Sequence, residues 1–491
     1  MYDISLKENK INFKMLEAKI YKYTCDAACR IMKYVLEKLD DKLMQERDNK
    51  VYRDKGKKHT CIKTIMGDVE IDRRIYKYET EDGKTAYKYL LDEYLGIDVI
   101  GHMSVNLVEK ILDNAAEVSY RKNAKNIKEM CNQEISHTAA WNVVQNVGRK
   151  IKEKEDRKII LNKNGELNGK KKVKVLFQER DGIWLNIQDK NKSKKGKNKK
   201  KELKLGISYE GFEKRKGTKD QYAVKNKIVY ASFKNTKKFE ELSDASASEI
   251  YDMNSIKARI VNGDGAGWIK AGTDEERVYY QLDPFHKSQA VIRNVRSKKD
   301  RKKLIKMLNE GKVSESLEMV TQMMVRDREN KEDLKKLEKL YNYLVNNKKG
   351  LKPYNLQVKL PDPPPGVTYR HAGTMEHNIC DILAQRMKGR KMSWSVDGAE
   401  NLAKILAEKF SRRLYKTVEE LYSSLIPESK LKKIIKTADL SAADVNVKAS
   451  NCKIYKVPHG QIPYINSDLT PGRKAIRNIF NYVSFSNMQL K

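Results

Sequence analysis

Apolar side chains recur at every third or fourth position from residue 12 to residue 48, with Phe13, Leu16 and Ile20 followed by Ile31, Met32, Val35, Leu36 and Leu39. That is the spacing of one helix face, and it predicts a long N-terminal helix. Between residues 60 and 80 the period falls to two, in Cys61-Ile-Lys-Thr-Ile65 and Val69-Glu-Ile-Asp-Arg-Arg-Ile-Tyr76. With Met66-Gly-Asp68 between them, these runs predict a β-hairpin. Residues 103–151 return to helical spacing in three short pieces: Val105, Val108, Ile111 and Leu112, then Ile127 and Met130, then a segment opening at Ser136.

From residue 171 the pattern becomes α/β. Residues 171–187 alternate over two strands, and Leu203–Tyr209 and Lys227–Phe233 follow as strands. A helix is expected near 239–253, then a buried strand through Ile260-Val-Asn-Gly263. With 171–187 counted together as the first, three sequential strands, a helix and a fourth strand are the order of a ribonuclease H-like sheet, in which the first and fourth strands lie side by side. Residues 301–347 carry Leu304, Ile305, Leu308, Leu317, Val320, Leu334, Leu337, Tyr341 and Leu344 at helical spacing. All ten prolines lie at Pro284 or later, and the cluster Pro361-Asp-Pro-Pro-Pro365 suits neither helix nor central strand. The expected organisation is α/β: N-terminal helices plus hairpin (1–100), a helix-turn-helix-like segment (101–152), a ribonuclease H-like core (170–285 and 370–410), a helical insertion with a Pro-rich end (286–369) and a basic C-terminal region (411–491).

Charge narrows the class of partner. Lys and Arg number 101 against 66 Asp and Glu, a net +35, which points to a polyanion, nucleic acid first. No apolar run approaches the roughly 18 residues of a membrane span, and the N-terminus lacks a signal-peptide layout, so a cytoplasmic protein is expected. The six cysteines and seven histidines are dispersed, with no C-x-x-C or H-x-x-H pair. A metal would therefore be held mainly by carboxylates, which favours Mg²⁺ or Mn²⁺.

One carboxylate stands out. Asp264 sits between Gly263 and Gly265, with Gly267 close by, on a turn at the end of a buried strand, where glycines permit sharp turning and leave space for an ion or a phosphate. On the first strand of the α/β segment Asp181 is the natural partner, with Glu179 on the same face as a fallback. Two carboxylates on adjacent strands make half of a two-metal site, the arrangement that activates water and stabilises a leaving oxygen in phosphodiester cleavage. A third acid is expected from a later helix. Glu376, in the first turn of a helix that Thr374 would cap, is the candidate, with Asp381 and Glu400 as rivals.

These residues carry a resemblance. Glu179-Arg-Asp-Gly-Ile-Trp184, Gly263-Asp-Gly-Ala-Gly-Trp-Ile269, Leu282-Asp-Pro-Phe-His286, Gly373-Thr-Met-Glu-His-Asn-Ile379, Arg386-Met-Lys-Gly-Arg390 and Ser393-Trp-Ser395 resemble the ISLre-type insertion-sequence transposases, relatives of the Mutator-like DDE transposases. The resemblance runs over nearly the whole chain. It implies a DDE triad of Asp181, Asp264 and Glu376 with Mg²⁺ or Mn²⁺, and a helical insertion between the last two that covers the site and grips DNA. It further implies terminal inverted repeats and target DNA as partners, a homo-oligomer, and a bacterial, nucleoid-associated protein. Mutator-type relatives commonly have Cys-x-x-His after the second aspartate, whereas this chain has Asp283-Pro-Phe-His286, leaving His286 to approach the scissile phosphate.

DNA contacts are expected at several places. After Ser136 as N-cap, His137, Thr138, Trp141 and Asn142 put polar and aromatic groups on early helical turns; both a groove-reading helix and a plain hairpin with a polar outer face fit. The run Lys190–Lys201, with Lys194, Lys195 and Lys199, reads as a loop that grips phosphate without sequence preference or as a solvated loop. Arg370 and His371 precede the acidic helix, and Lys388 and Arg390 follow it. Two other functions suit the same composition: a catalytically inactive DNA-binding relic, and a basic RNA-binding structural protein.

Overall fold

Asn12 opens the first helix by accepting the Met15 N–H, and Phe13–Glu46 winds without interruption for 34 residues. The structure, a computed structural model, describes residues 12–96, 102–188, 199–218 and 220–422. Leu36 and Leu39 bury the helix's later turns, which pack on β2 of a three-stranded antiparallel sheet, β1 (Arg53–Thr64), β2 (Gly67–Glu79) and β3 (Thr85–Lys88). The hairpin starts earlier than alternation suggested. Residues 53–59 are mostly exposed and basic, so the backbone ladder with β2 holds them rather than an apolar face.

Three helices follow, Val105–Glu117, Tyr120–Met130 and His137–Lys163, capped by Ser104, Ser119 and Ser136, each accepting a main-chain N–H. The last does not stop near residue 152. Its later turns pack on the helix Val396–Phe410, where Lys152 meets Glu400 and Glu155 meets the fully buried Lys404. Leu107, Ile111, Val144 and Val147 share one continuous buried cluster with Phe177, Leu185, Leu402 and Ile405. These helices therefore form one layer against the central sheet.

That sheet contains β4 (Val175–Ile187), β5 (Lys199–Tyr209), β8 (Ile228–Ser232), β9 (Ala258–Gly263), β10 (Val278–Leu282) and the short β11 (Ser393–Trp394). A small hairpin, β6 (Phe212–Lys214) and β7 (Tyr222–Val224), lies between β5 and β8 in the chain. The spatial order is β10-β9-β4-β5-β8, with β5 antiparallel to β4 and β8, and β9 parallel to both β4 and β10. The two strands expected over 171–187 are one. Gly182 does not turn the chain; it pairs with Lys204 across the ladder, and the Glu202 side chain lies where a Cβ would be, 2.2 Å from that position.

Odd positions of β4 (Phe177, Ile183, Leu185) pack toward the helical layer, and even positions (Leu176, Gln178, Arg180) meet the helix Thr236–Ser248 on the other face. The result is a mixed α/β architecture with a helical N-terminal region. After β10, the helices Pro284–Asn294, Lys298–Asn309, Val313–Arg326 and Lys331–Asn346 close on their own core of Val291, Leu304, Leu308, Val320, Leu337, Leu340 and Leu344, as the spacing of residues 301–347 implied. The chain divides into a unit ending at Ile426 and a second from Pro427 to Lys491. The second falls outside the described residues, as do most of the basic region 411–491, Lys194 and Lys195. Among the described residues no helix is long and apolar enough to cross a membrane.

Candidate metal centre

Parallel register determines which acids meet. β4 pairs Arg180 with Gly263 of β9, and Gly263 pairs with Leu282 of β10. One step later on these three chains stand Asp181, Asp264 and Asp283. β9 covers β4 only through Arg180, and β11 rejoins it at Asn186 and Ile187, so residues 181–185 have, among the described residues, no strand partner on that edge. The interruption opens the sheet beside Asp181. Open α/β sheets bind ligands at the carboxyl ends of their strands.

Two other elements close on this opening. The helix Pro284–Asn294 is capped by Asp283, whose Oδ1 accepts from the Phe285 and His286 main-chain N–H groups, with Pro284 in the first turn. His286 is therefore fixed in that turn, with Nδ1 facing Asp283 Oδ1 at 3.3 Å and Nε2 left for the site. The second element is Met375–Asn378, which carries Glu376 and continues into a π-helical turn, Ile379–Ala384. One ligand atom from each of Asp181, His286 and Glu376 lies within 4.8 Å of the others. Asp181 is buried, His286 half-buried and Glu376 exposed, so the cluster runs from the sheet to the surface.

Electrostatics agree with this proximity. Burial pushes Asp181 up to about 6; Asp264 and Glu376 add to the rise, and the Gly182 N–H and His286 oppose it. His286 is raised, first by its hydrogen bond to Asp283 and further by the charges of Asp181 and Asp264. Asp283 lies below the usual range: burial opposes this, but hydrogen bonds from His286 and Asn262 outweigh it.

Asp264 flanks the cluster without joining its three converging atoms. Its Oδ1 accepts the Ala266 N–H, and its carbonyl accepts from Tyr343. Two of the three glycines around it make room for neighbouring protein atoms. A Cβ at Gly265 would lie 2.5 Å from Asn347 Oδ1 and one at Gly263 2.5 Å from Ile269, while only Gly267 faces open space. Gly265 is also required by its backbone, at φ +97°.

Glu179, the fallback acid, is fully buried and points its carboxylate at hydrogen-bond donors. Thr374 does not cap the Glu376 helix; its hydroxyl donates to Glu179. Of the rivals, Asp381 pairs with His377 at 2.9 Å, and Glu400 binds Ser232 and Lys152. Neither joins the cluster. Asp283 and Asn262, hydrogen-bonded to each other beside the cluster, are not singled out by the sequence, although Asp followed by Pro after a strand is a helix-capping signal.

Of the expected DNA contacts, those on the helix after Ser136, together with Arg370 and Lys388, are exposed. Ser136 caps its helix, and His137, Thr138, Trp141 and Asn142 share its exposed side while Ala140, Val143 and Val144 face inward. Arg370 is exposed with its guanidinium 3.9 Å over the Tyr222 ring, and Lys388 is exposed at the end of the acidic helix. Lys199 opens β5, and Arg390 lies in the short turn Gly389–Lys391. Arg386, one turn before Arg390, is buried and donates to the Ala115 carbonyl between Tyr120 and Trp394.

Comparison with known proteins gives a family. Residues 6–421 match the model described as "Uncharacterised protein family (UPF0236)". A UPF0236 protein of Caldanaerobacter subterraneus subsp. tengcongensis, whose name carries eleven locus designations, is 25% identical over 82% of this chain and 78% of its own length. Another from that organism, named for four loci, is 25% identical over 80% and 77%. A Streptococcus gallolyticus protein, "UPF0236 protein in vanSb 3'region", is 23% identical over 81% and 82%. A match spanning the helical region, the sheet and the acid cluster together makes this chain a member of the UPF0236 family.

Proposed function

We propose that the chain is a DDE-type DNA transposase of the ISLre type that cuts and joins DNA at the ends of a mobile element. The convergence of Asp181, His286 and Glu376 within 4.8 Å, with Asp264 on the adjoining strand end, carries the reading. Two further observations support it. The strand order third, second, first, fourth, fifth, with the first and fourth parallel, is that of a ribonuclease H-like sheet. One protein name covering eleven loci of one genome is what a self-copying element leaves behind.

Three ligand atoms this close, two of them the carboxylate oxygens of Asp181 and Glu376, suit a hard divalent cation; these two acids would hold Mg²⁺ or Mn²⁺, with Asp264 flanking them on the adjoining strand end as the third acid of the proposed triad. When bound, such an ion lowers the pKa of water and offsets charge on the phosphate. The chain's own residues supply orientation. β4 and β9 fix Asp181 and Asp264 on rigid backbone, and the Asp283 cap holds His286 toward its protonated form, able to donate from Nε2 to a phosphate oxygen. Exposed cations, Arg370 and Lys388 among them, keep the strands in line, and two protomers bring two DNA ends together.

The test is strand cleavage of duplex bearing the DNA that flanks the gene. Wild type is expected to cut with Mg²⁺ and not with EDTA, and Asp264→Asn and Glu376→Gln to be inactive while still binding DNA. Equal activity in wild type and both variants, or binding confined to RNA, would overturn the reading.

A further inference from the structure

Glu376 stands on the least self-supporting element of the cluster. It is exposed on a four-residue helix with no side-chain cap, after a glycine at φ +139°. What holds it lies beneath, at Glu179, whose exposure is 0%. Oε1 of Glu179 accepts from the Tyr209 hydroxyl at 2.6 Å and the Thr374 hydroxyl at 2.8 Å. Oε2 accepts from Asn262 Nδ2 at 3.1 Å, the Gly373 N–H at 3.0 Å and the Thr374 N–H at 2.9 Å. Three of these five donors belong to the two residues that lead into the Glu376 turn. Asn378 Nδ2 closes that turn on the Thr374 carbonyl at 2.9 Å.

The same carboxylate reaches the other side of the cluster. Asn262 Nδ2 also donates to Asp283 Oδ2 at 2.8 Å, and the opposite oxygen of Asp283 holds His286. Glu179 and Asn262 are register partners on β4 and β9, two residues behind Asp181 and Asp264 and on the same faces. Burial and five donors leave neither oxygen of Glu179 for a ligand, so the fallback role of metal-binding acid does not suit it.

We propose that Glu179 is a positioning residue that clamps the Glu376 turn and, through Asn262 and Asp283, ties it to His286, setting the spacing of the cluster around Asp181. The proposal rests on the metal-site reading above for its consequence but not for the clamp itself. Groups that orient metal ligands without touching the metal typically change affinity or activity by roughly 10- to 100-fold when removed.

The experiment has two arms on the full-length chain. Calorimetric Mn²⁺ titration compares wild type, Glu179→Ala, Glu179→Gln, Glu376→Ala and the Glu179→Ala/Glu376→Ala double variant. Hydrogen exchange without metal follows the main-chain amides of residues 372–378. Alanine at 179 is expected to weaken Mn²⁺ binding roughly 10- to 100-fold, and to add nothing once Glu376 is gone. Glutamine keeps one oxygen for the three N–H donors and an amide that the two hydroxyls can accept, so it is expected to retain most of the affinity. The Gly373 and Thr374 amides should lose protection in the alanine variant.

Three results would overturn the proposal: glutamine as damaging as alanine, effects of the two alanine substitutions that multiply, or unchanged amide protection. Wild type that binds no Mn²⁺ would defeat the metal reading alone, and the exchange arm would still decide the clamp. Should Glu179→Ala not fold, Thr374→Val, which deletes one donor and keeps shape, takes its place in both arms, with a few-fold loss expected.

Discussion

An ionised Asp181 sits where burial disfavours it, and that has a consequence for the metal-free protein. Its carboxyl is pushed up to about 6, above the value of about 3.9 for an unfolded chain. A raised folded-state value gives stability that is whole below about pH 4 and is lost as the pH rises through about 6. Metal-free wild type should therefore lose roughly 2–3 kcal/mol from this group between pH 4 and pH 7.5. Asp181→Asn should lack that decline and melt higher than wild type at pH 7.5; thermal unfolding across the range checks both. Gly265 makes a second residue-scale prediction. With φ at +97° and Asn347 Oδ1 2.5 Å from a built Cβ, Gly265→Ala should cost roughly 1–3 kcal/mol in urea unfolding and displace the Asp264 turn. Asp181, Asp264 and Glu376 stand out in the sequence as acids on a strand, at a strand end and in a first helical turn, whereas His286 enters only through the family resemblance. The roles of Thr374 and Glu179 were not, because both depend on a contact between residues 195 positions apart.

At the scale of elements, the helix Val396–Phe410 is joined to His137–Lys163 by polar groups inside an apolar interface. Lys404, fully buried, donates to the Ala231 carbonyl at 2.6 Å and pairs with Glu155. Removing one partner strands the other charge, so Lys404→Met should destabilise by roughly 3–5 kcal/mol, and adding Glu155→Leu should recover most of it. Chemical denaturation of the single and double variants decides. The long N-terminal helix and the insertion helices were legible because their periods persist over many turns. Val175–Ile187 is one strand rather than the two expected over 171–187, because a glycine within an alternating run, here Gly182, is compatible with close approach of a neighbouring side chain, here Glu202. β6 and β7 are not legible in the sequence, since three residues each are too few to display a period.

For the whole molecule, periodicity tells which face of a helix is apolar but not what that face meets. A separate segment ending near 152 was thus expected where His137–Lys163 packs on Val396–Phe410. The net charge of +35 has a more direct reading. On the insertion helix Lys298–Asn309, Lys298, Lys299, Lys302 and Lys303 are exposed, and among the described residues none of the four is in an ion pair. Replacing all four by Gln should weaken duplex binding evenly across sequences and reduce the logarithmic salt slope by about 4, one per phosphate contact. Binding titrations over a series of salt concentrations measure it. The central claim meets its most direct test in the DNA product. With Mg²⁺, the full-length protein and end-labelled duplex spanning the border of its gene, a cut at the border that leaves a 3′-hydroxyl is expected, slowed more than roughly 100-fold by Asp181→Asn. Cutting by Asp181→Asn at the wild-type rate, or undiminished cutting in EDTA, would contradict it.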